Sequence, residues 1–66
     1  MNFRITTMVP GLGEVTVAQA DDYHFARTLA RCASAEDSGR YHLLPNKNMA
    51  FNGEWFANGQ SEGNAS

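Results

Sequence analysis

The sequence predicts an α+β domain: a small antiparallel sheet built β-β-α-β-β, with residues enough for a further strand, and one helix packed on one face. Three observations carry this expectation. Two runs of period 2 flank a Pro-Gly turn near the N-terminus, one run of helical period follows, and short β-rich runs between turn residues fill the second half.

Residues 2–9 alternate, with Phe3, Ile5, Thr7 and Val9 on one face and Arg4, Thr6 and Met8 on the other. That is the pattern of a half-buried strand. Pro10-Gly11-Leu12-Gly13 stops it, because proline lacks the amide hydrogen a ladder needs and glycine admits positive φ. Alternation resumes over residues 14–18 with Val15 and Val17 on one face, so the two runs form a hairpin. Asp21 or Asp22 then offers a carboxylate to the unpaired amides of a helix N-terminus. Phe25, Leu29, Cys32 and Ala33 fall at i, i+4, i+7 and i+8 and make the expected buried stripe, widened by Ala26 and Ala30. Tyr23, Arg27, Thr28, Arg31 and Ser34 take the opposite side. Gly39 is the expected C-terminal cap, and Glu36 and Asp37 sit unfavourably at the negative helix end, so fraying is expected near Ala35.

Residues 40–44 read as a third strand, with Tyr41 and Leu43 alternating against His42 and Leu44. Pro45-Asn46-Lys47-Asn48 is a turn. Met49-Ala50-Phe51 and Glu54-Trp55-Phe56 flank Asn52-Gly53, and Asn-Gly between apolar runs signals a second hairpin. The domain is thus expected over residues 1–57. Residues 58–66 hold no large apolar side chain and are expected to be a disordered C-terminal tail, dispensable for folding from Gln60 onward. One helix covers one face of such a sheet; the other meets solvent or a partner, and the edge strands stay open.

A chain of 66 residues has little core to spare for an enclosed substrate pocket, although 42% hydrophobic and 11% aromatic residues suffice for a folded domain. Five Lys+Arg against seven Asp+Glu leave a net charge of −2, the wrong sign for a protein that gains affinity by neutralising phosphates, so direct nucleic-acid binding is not expected. The single cysteine, Cys32, can form no internal disulfide, which points to a reducing cytosol. No run approaches the roughly 20 apolar residues of a membrane helix, and no apolar segment follows Met1-Asn2-Phe3-Arg4 as a signal peptide requires.

Motifs for catalysis are missing. Cys32, His24 and His42 are the only Cys and His residues; Cys32 falls on the expected core stripe, and the spacing matches no zinc pattern. Gly11-Leu12-Gly13 lacks the further glycine and following helix of a dinucleotide loop and the lysine of a P-loop. Asp21-Asp22 lacks the alternating acids of a calcium loop. No enzyme activity, cofactor or metal is therefore expected. The candidate contact residues are Tyr23, Arg27 and Arg31, in line along the outer helix face, and Trp55 and Phe56, of which one belongs in the core and the other on the surface because strand neighbours face opposite sides.

Size, mild acidity, a hairpin–helix–hairpin order and the lack of a catalytic motif make residues 2–57 resemble small phage- or mobile-element-encoded accessory proteins, including anti-CRISPR proteins and host-takeover inhibitors. The resemblance implies a non-enzymatic, cytoplasmic inhibitor that blocks a bacterial host protein or ribonucleoprotein complex by covering its surface. It carries no residue roles with it. Two other readings come from different classes: an accessory subunit completed as a homodimer through an open sheet edge, and a small nucleic-acid-binding module using Arg27, Arg31, Arg40 and Lys47 on phosphates with Tyr41 or Trp55 stacking on bases.

Overall fold

The turn Val9-Pro10-Gly11-Leu12 folds the N-terminus back on itself. Leu12 N donates to Val9 O at 3.0 Å, proline sits at the second position and Gly11 supplies φ +87° at the third, the requirements of a type II turn. It joins β1 (Phe3–Val9) to β2 (Gly13–Ala20). Helix α1 (Tyr23–Asp37) follows, then β3 (Arg40–Pro45), β4 (Glu54–Ala57) and β5 (Gln60–Asn64). These elements are those of a computed structural model that describes residues 1–64, with side chains described to residue 62. They form a five-stranded antiparallel sheet in the order β2-β1-β3-β4-β5, with α1 packed on one face. Since β1 is antiparallel to both neighbours, β2 and β3 run the same way, and the crossover that joins them through α1 passes over β1.

Several expectations need correction. The second hairpin turns at Asn58-Gly59, with φ +55° and +80°, and joins β4 to β5; both left-handed positions of a type I′ turn thus carry the residues that tolerate them. Asn52-Gly53 instead lies in the loop leading into β4, and Met49-Ala50-Phe51 forms no strand. Gly53 is buried there: a Cβ would overlap His42 Nε2 and come within 2.8 Å of the Leu43 carbonyl oxygen. Second, residues 60–64 of the expected tail are strand β5; residues 65 and 66 lie outside the described residues. Pairing with β4 and the tight turn order a segment that has no apolar side chain of its own.

Third, α1 is rotated by about one residue, or roughly 100°, from its apolar stripe. Ala26, Ala30 and Ser34 face the sheet and are fully buried, whereas Phe25 is 58% exposed and Cys32 is exposed; Leu29 and Ala33 lie at the margin. Small side chains let the helix approach closely, and Phe3, Ile5, Leu43 and Phe56 from the sheet fill the space between. Ser34 is satisfied in this position, donating to Arg31 O at 3.0 Å and accepting from Gly59 N at 2.9 Å, so it ties the helix to the β4–β5 turn.

The helix ends are held as follows. Asp22 Oδ2 accepts from Phe25 N at 3.0 Å as the N-cap. At the other end the helix runs to Asp37, two residues past the expected fraying point, and Ser38 rather than Gly39 takes the left-handed cap at φ +55°. The Asp37 carboxylate, unfavourable for the helix dipole alone, accepts from Gly39 N at 2.8 Å and from Tyr41 Oη, and these contacts fix the entry to β3.

The uncovered sheet face as a candidate functional site

Strand register places every second residue on the face that α1 leaves bare. Arg4, Thr6 and Met8 of β1 lie beside Leu44 and His42 of β3, His42 is opposite Trp55, and Arg40 is opposite Ala57. Glu14, Thr16 and Gln19 of β2 complete this side. The helix-side alternates, Phe3, Ile5, Tyr41, Leu43 and Phe56, form the core. A single period-2 sequence therefore produces both the core and the exposed face.

Trp55 is the centre of this face. Its ring stacks on His42 with 4.1 Å between centroids and 12° between planes. The Arg40 guanidinium lies 4.8 Å above the Trp55 ring, a cation–π distance, and Arg40 Nη2 meets Glu62 Oε1 at 3.2 Å. Thr7 Oγ1 donates to Arg40 O at 2.8 Å, steadying the backbone beneath that side chain. The three groups support one another in a single stack, an arrangement that would lower the entropy cost of any binding through them. Beside them is an open depression of about 480 Å3 lined by Thr7, Met8, Gly39, Arg40 and Trp55. Met8 is 61% exposed at its rim.

His42 is buried, and its Nε2 has no hydrogen-bond partner among the described residues. Burial pushes its pKa below the ordinary value of 6.5; Glu14 raises it, while Arg4 and Arg40 lower it further. The imidazole is therefore neutral near pH 7 and serves as an aromatic base for Trp55. Arg4 extends the polar margin, donating to Pro45 O at 2.7 Å and Asn46 Oδ1 at 3.3 Å.

The residues singled out in the sequence divide between two sides. Trp55 is on the bare face, and Phe56 is fully buried in the core under α1. Tyr23 and Arg27 are half-buried, turned toward the sheet instead of outward. Tyr23 Oη donates to Glu54 Oε1, Ser61 Oγ donates to Glu54 Oε2 at 3.0 Å, and Arg27 Nε lies 3.7 Å from the same oxygen. The Glu54 carboxylate is buried and compensated by all three, and the hydrogen bond to it, with burial, raises the Tyr23 pKa above 10.0. Arg31 alone of the helix trio is exposed. Arg40, His42, Met8 and Leu44 share this face without a local motif that groups all four; the alternation Arg40-His42-Leu44 against Tyr41-Leu43 is the signal that groups three of them.

Among the described residues no group of three or more His, Cys, Asp or Glu side chains is placed to hold a metal ion. Among the described residues no helix is long and apolar enough to cross a membrane. No protein-family model, curated protein or solved structure matches the chain.

Proposed function

We propose that this chain is a non-enzymatic protein-binding module that docks onto its partner through the uncovered sheet face. The observation that carries this reading is the His42–Trp55–Arg40 stack on a face that no other element covers among the described residues. Trp and Arg dominate the energetics of protein interfaces, most of all when rigid and surrounded by contacts that exclude water. Met8 and Leu44 supply the apolar surround; Arg4, Glu14 and Glu62 supply a charged rim of both signs. An inhibitor that occludes a host protein or ribonucleoprotein in the cytosol, as the resemblance to phage accessory proteins implies, would use Trp55 as its anchor.

The test is photo-crosslinking in cells of the source organism, with benzoylphenylalanine in place of Met8 or, as control, of Glu36 on the outer helix. The reading expects one covalent heterologous adduct from position 8 and none from position 36, followed by saturable binding of the purified adduct partner. Adducts only from position 36 would sink it.

A second reading has its own observation. The β2 edge carries Val17, 49% exposed at a bulge where Ile5 pairs with Ala18 but Thr6 with Thr16, and Phe25 is exposed on the helix. Self-pairing of that edge would bury apolar surface in a symmetric homodimer. Light scattering of the purified protein decides it: a mass of two chains supports the dimer, and a mass of one chain at high concentration excludes it.

A further inference from the structure

On the helix side, away from the uncovered face, α1 and the β4–β5 hairpin border an open polar concavity of about 270 Å3. It is lined by Arg27, Arg31, Phe56, Gly59, Gln60 and Ser61. The two arginines are one helical turn apart, a spacing at which like charges repel by a few tenths of a kcal/mol, so helix stability does not account for the pair. Their surroundings differ. Arg27 is fixed: its guanidinium lies 5.7 Å over the Phe56 ring and its Nε faces Glu54. That contact uses the Nε side of the fork, and Glu54 is further occupied by Tyr23 and Ser61. Arg31 has no carboxylate within ion-pairing distance among the described residues. Two guanidiniums and one saturated carboxylate leave one positive charge in excess on a chain whose net charge is −2.

We infer that this concavity is an oxyanion site, in which the fixed Arg27 and the unpaired Arg31 close on a carboxylate or phosphate group. The planar guanidinium fork matches both groups and binds them through charge-assisted hydrogen bonds. Apart from the Phe56 ring the lining is polar or glycine, with Gln60 and Ser61 on the hairpin side. The hairpin is itself held to the helix by the Gly59 N to Ser34 Oγ hydrogen bond, so the two walls are fixed relative to each other. Binding here is independent of the uncovered face, since the site lies on the opposite side of the sheet.

The experiment is a two-dimensional NMR titration of the full chain, following backbone amides and arginine Nε–H signals. Sodium phosphate is added in one arm, sodium acetate in a second, and sodium chloride at matched ionic strength in a third. The inference expects saturable shifts confined to Arg27, Arg31, Gly59 and Gln60 in the phosphate or acetate arm, and the responding arm names the ligand class. Arg31→Gln, at an exposed position, should weaken the apparent affinity at least tenfold, while Arg40→Gln leaves it unchanged. Shifts that chloride reproduces, that spread over all the arginines, or that persist in Arg31→Gln would overturn it.

Discussion

Substituting Gly53 tests the β3–β4 region most sharply. A Cβ on this residue would overlap His42 Nε2, come within 2.8 Å of the Leu43 carbonyl oxygen and lie 2.9 Å from Leu44 Cδ2. The leucine tip can move, but the carbonyl belongs to the β3 backbone paired with β4 through Leu43 and Glu54. Relief must come from displacing the strand entry or the His42 ring, and hence the Trp55 stack. Overpacking of this kind costs about 1–3 kcal/mol, and a clash with paired backbone belongs toward the upper end. A 66-residue domain has a total stability of roughly 3–10 kcal/mol at 0.05–0.15 kcal/mol per residue. Gly53→Ala should therefore remove a large share of it. The assay is urea denaturation followed by Trp55 fluorescence, with Gly53→Asn as a second variant. If Asn52-Gly53 were a tight turn, asparagine would be accepted in the left-handed conformation. In the packed position against His42 and β3 it should be worse than alanine. An asparagine variant as stable as wild type would refute the close approach.

Three further outcomes follow from the same contacts. Phe56→Ala should cost about 3–5 kcal/mol and unfold much of the population, whereas Phe25→Ala should stay within about 0.5 kcal/mol; thermal melts that rank them the other way would return the helix to its apolar stripe. Ending the chain after Asn58 deletes β5 and the Ser61 donor to Glu54, so it should destabilise by more than about 1 kcal/mol, and an unchanged melting temperature would show that β5 contributes nothing. The folded-state pKa of His42 lies below 6.5, so the unfolded chain takes up the proton first as pH falls: the contribution of neutral His42 is present above about pH 6.5 and lost below it. His42→Phe keeps an aromatic base for Trp55 and should lose less stability between pH 7 and 5 than wild type; parallel pH profiles would count against a buried neutral imidazole.

The first half of the fold is legible because each boundary has its own local chemistry. Pro10-Gly11 closes a type II turn, Asp22 caps the helix, and Phe3, Ile5, Tyr41 and Leu43 alternate with polar neighbours. The helix face is less legible, because hydrophobicity ranks Phe25 and Leu29 above Ala26, Ala30 and Ser34, while close packing on a sheet selects the small residues. The two Asn-Gly pairs carry the same local signal. Only tertiary contact, Gly59 against Ala35 and Gly53 against His42, decides which one turns the chain. The site has the same history. Trp55 and Phe56 were recognisable as one surface and one core residue, but their assignment needed the register Tyr41–Phe56 and His42–Trp55. Tyr23 and Arg27 look like surface residues in a helical wheel and are drawn inward by Glu54, which lies 31 and 27 positions further along the chain.

Partner binding through the uncovered face is tested most directly by Trp55→Ala, measured by calorimetric titration against the crosslinked partner beside wild type and Phe25→Ala. Trp55 lies on the bare face with its ring held between His42 and Arg40, so truncation removes the apolar anchor and frees both neighbours while leaving the Phe56 core in place. A central aromatic anchor is worth about 2 kcal/mol or more, which is roughly a 30-fold loss of affinity. The account predicts that loss for Trp55→Ala in a variant that still folds, with wild-type affinity for Phe25→Ala; equal affinities for Trp55→Ala and wild type would contradict it.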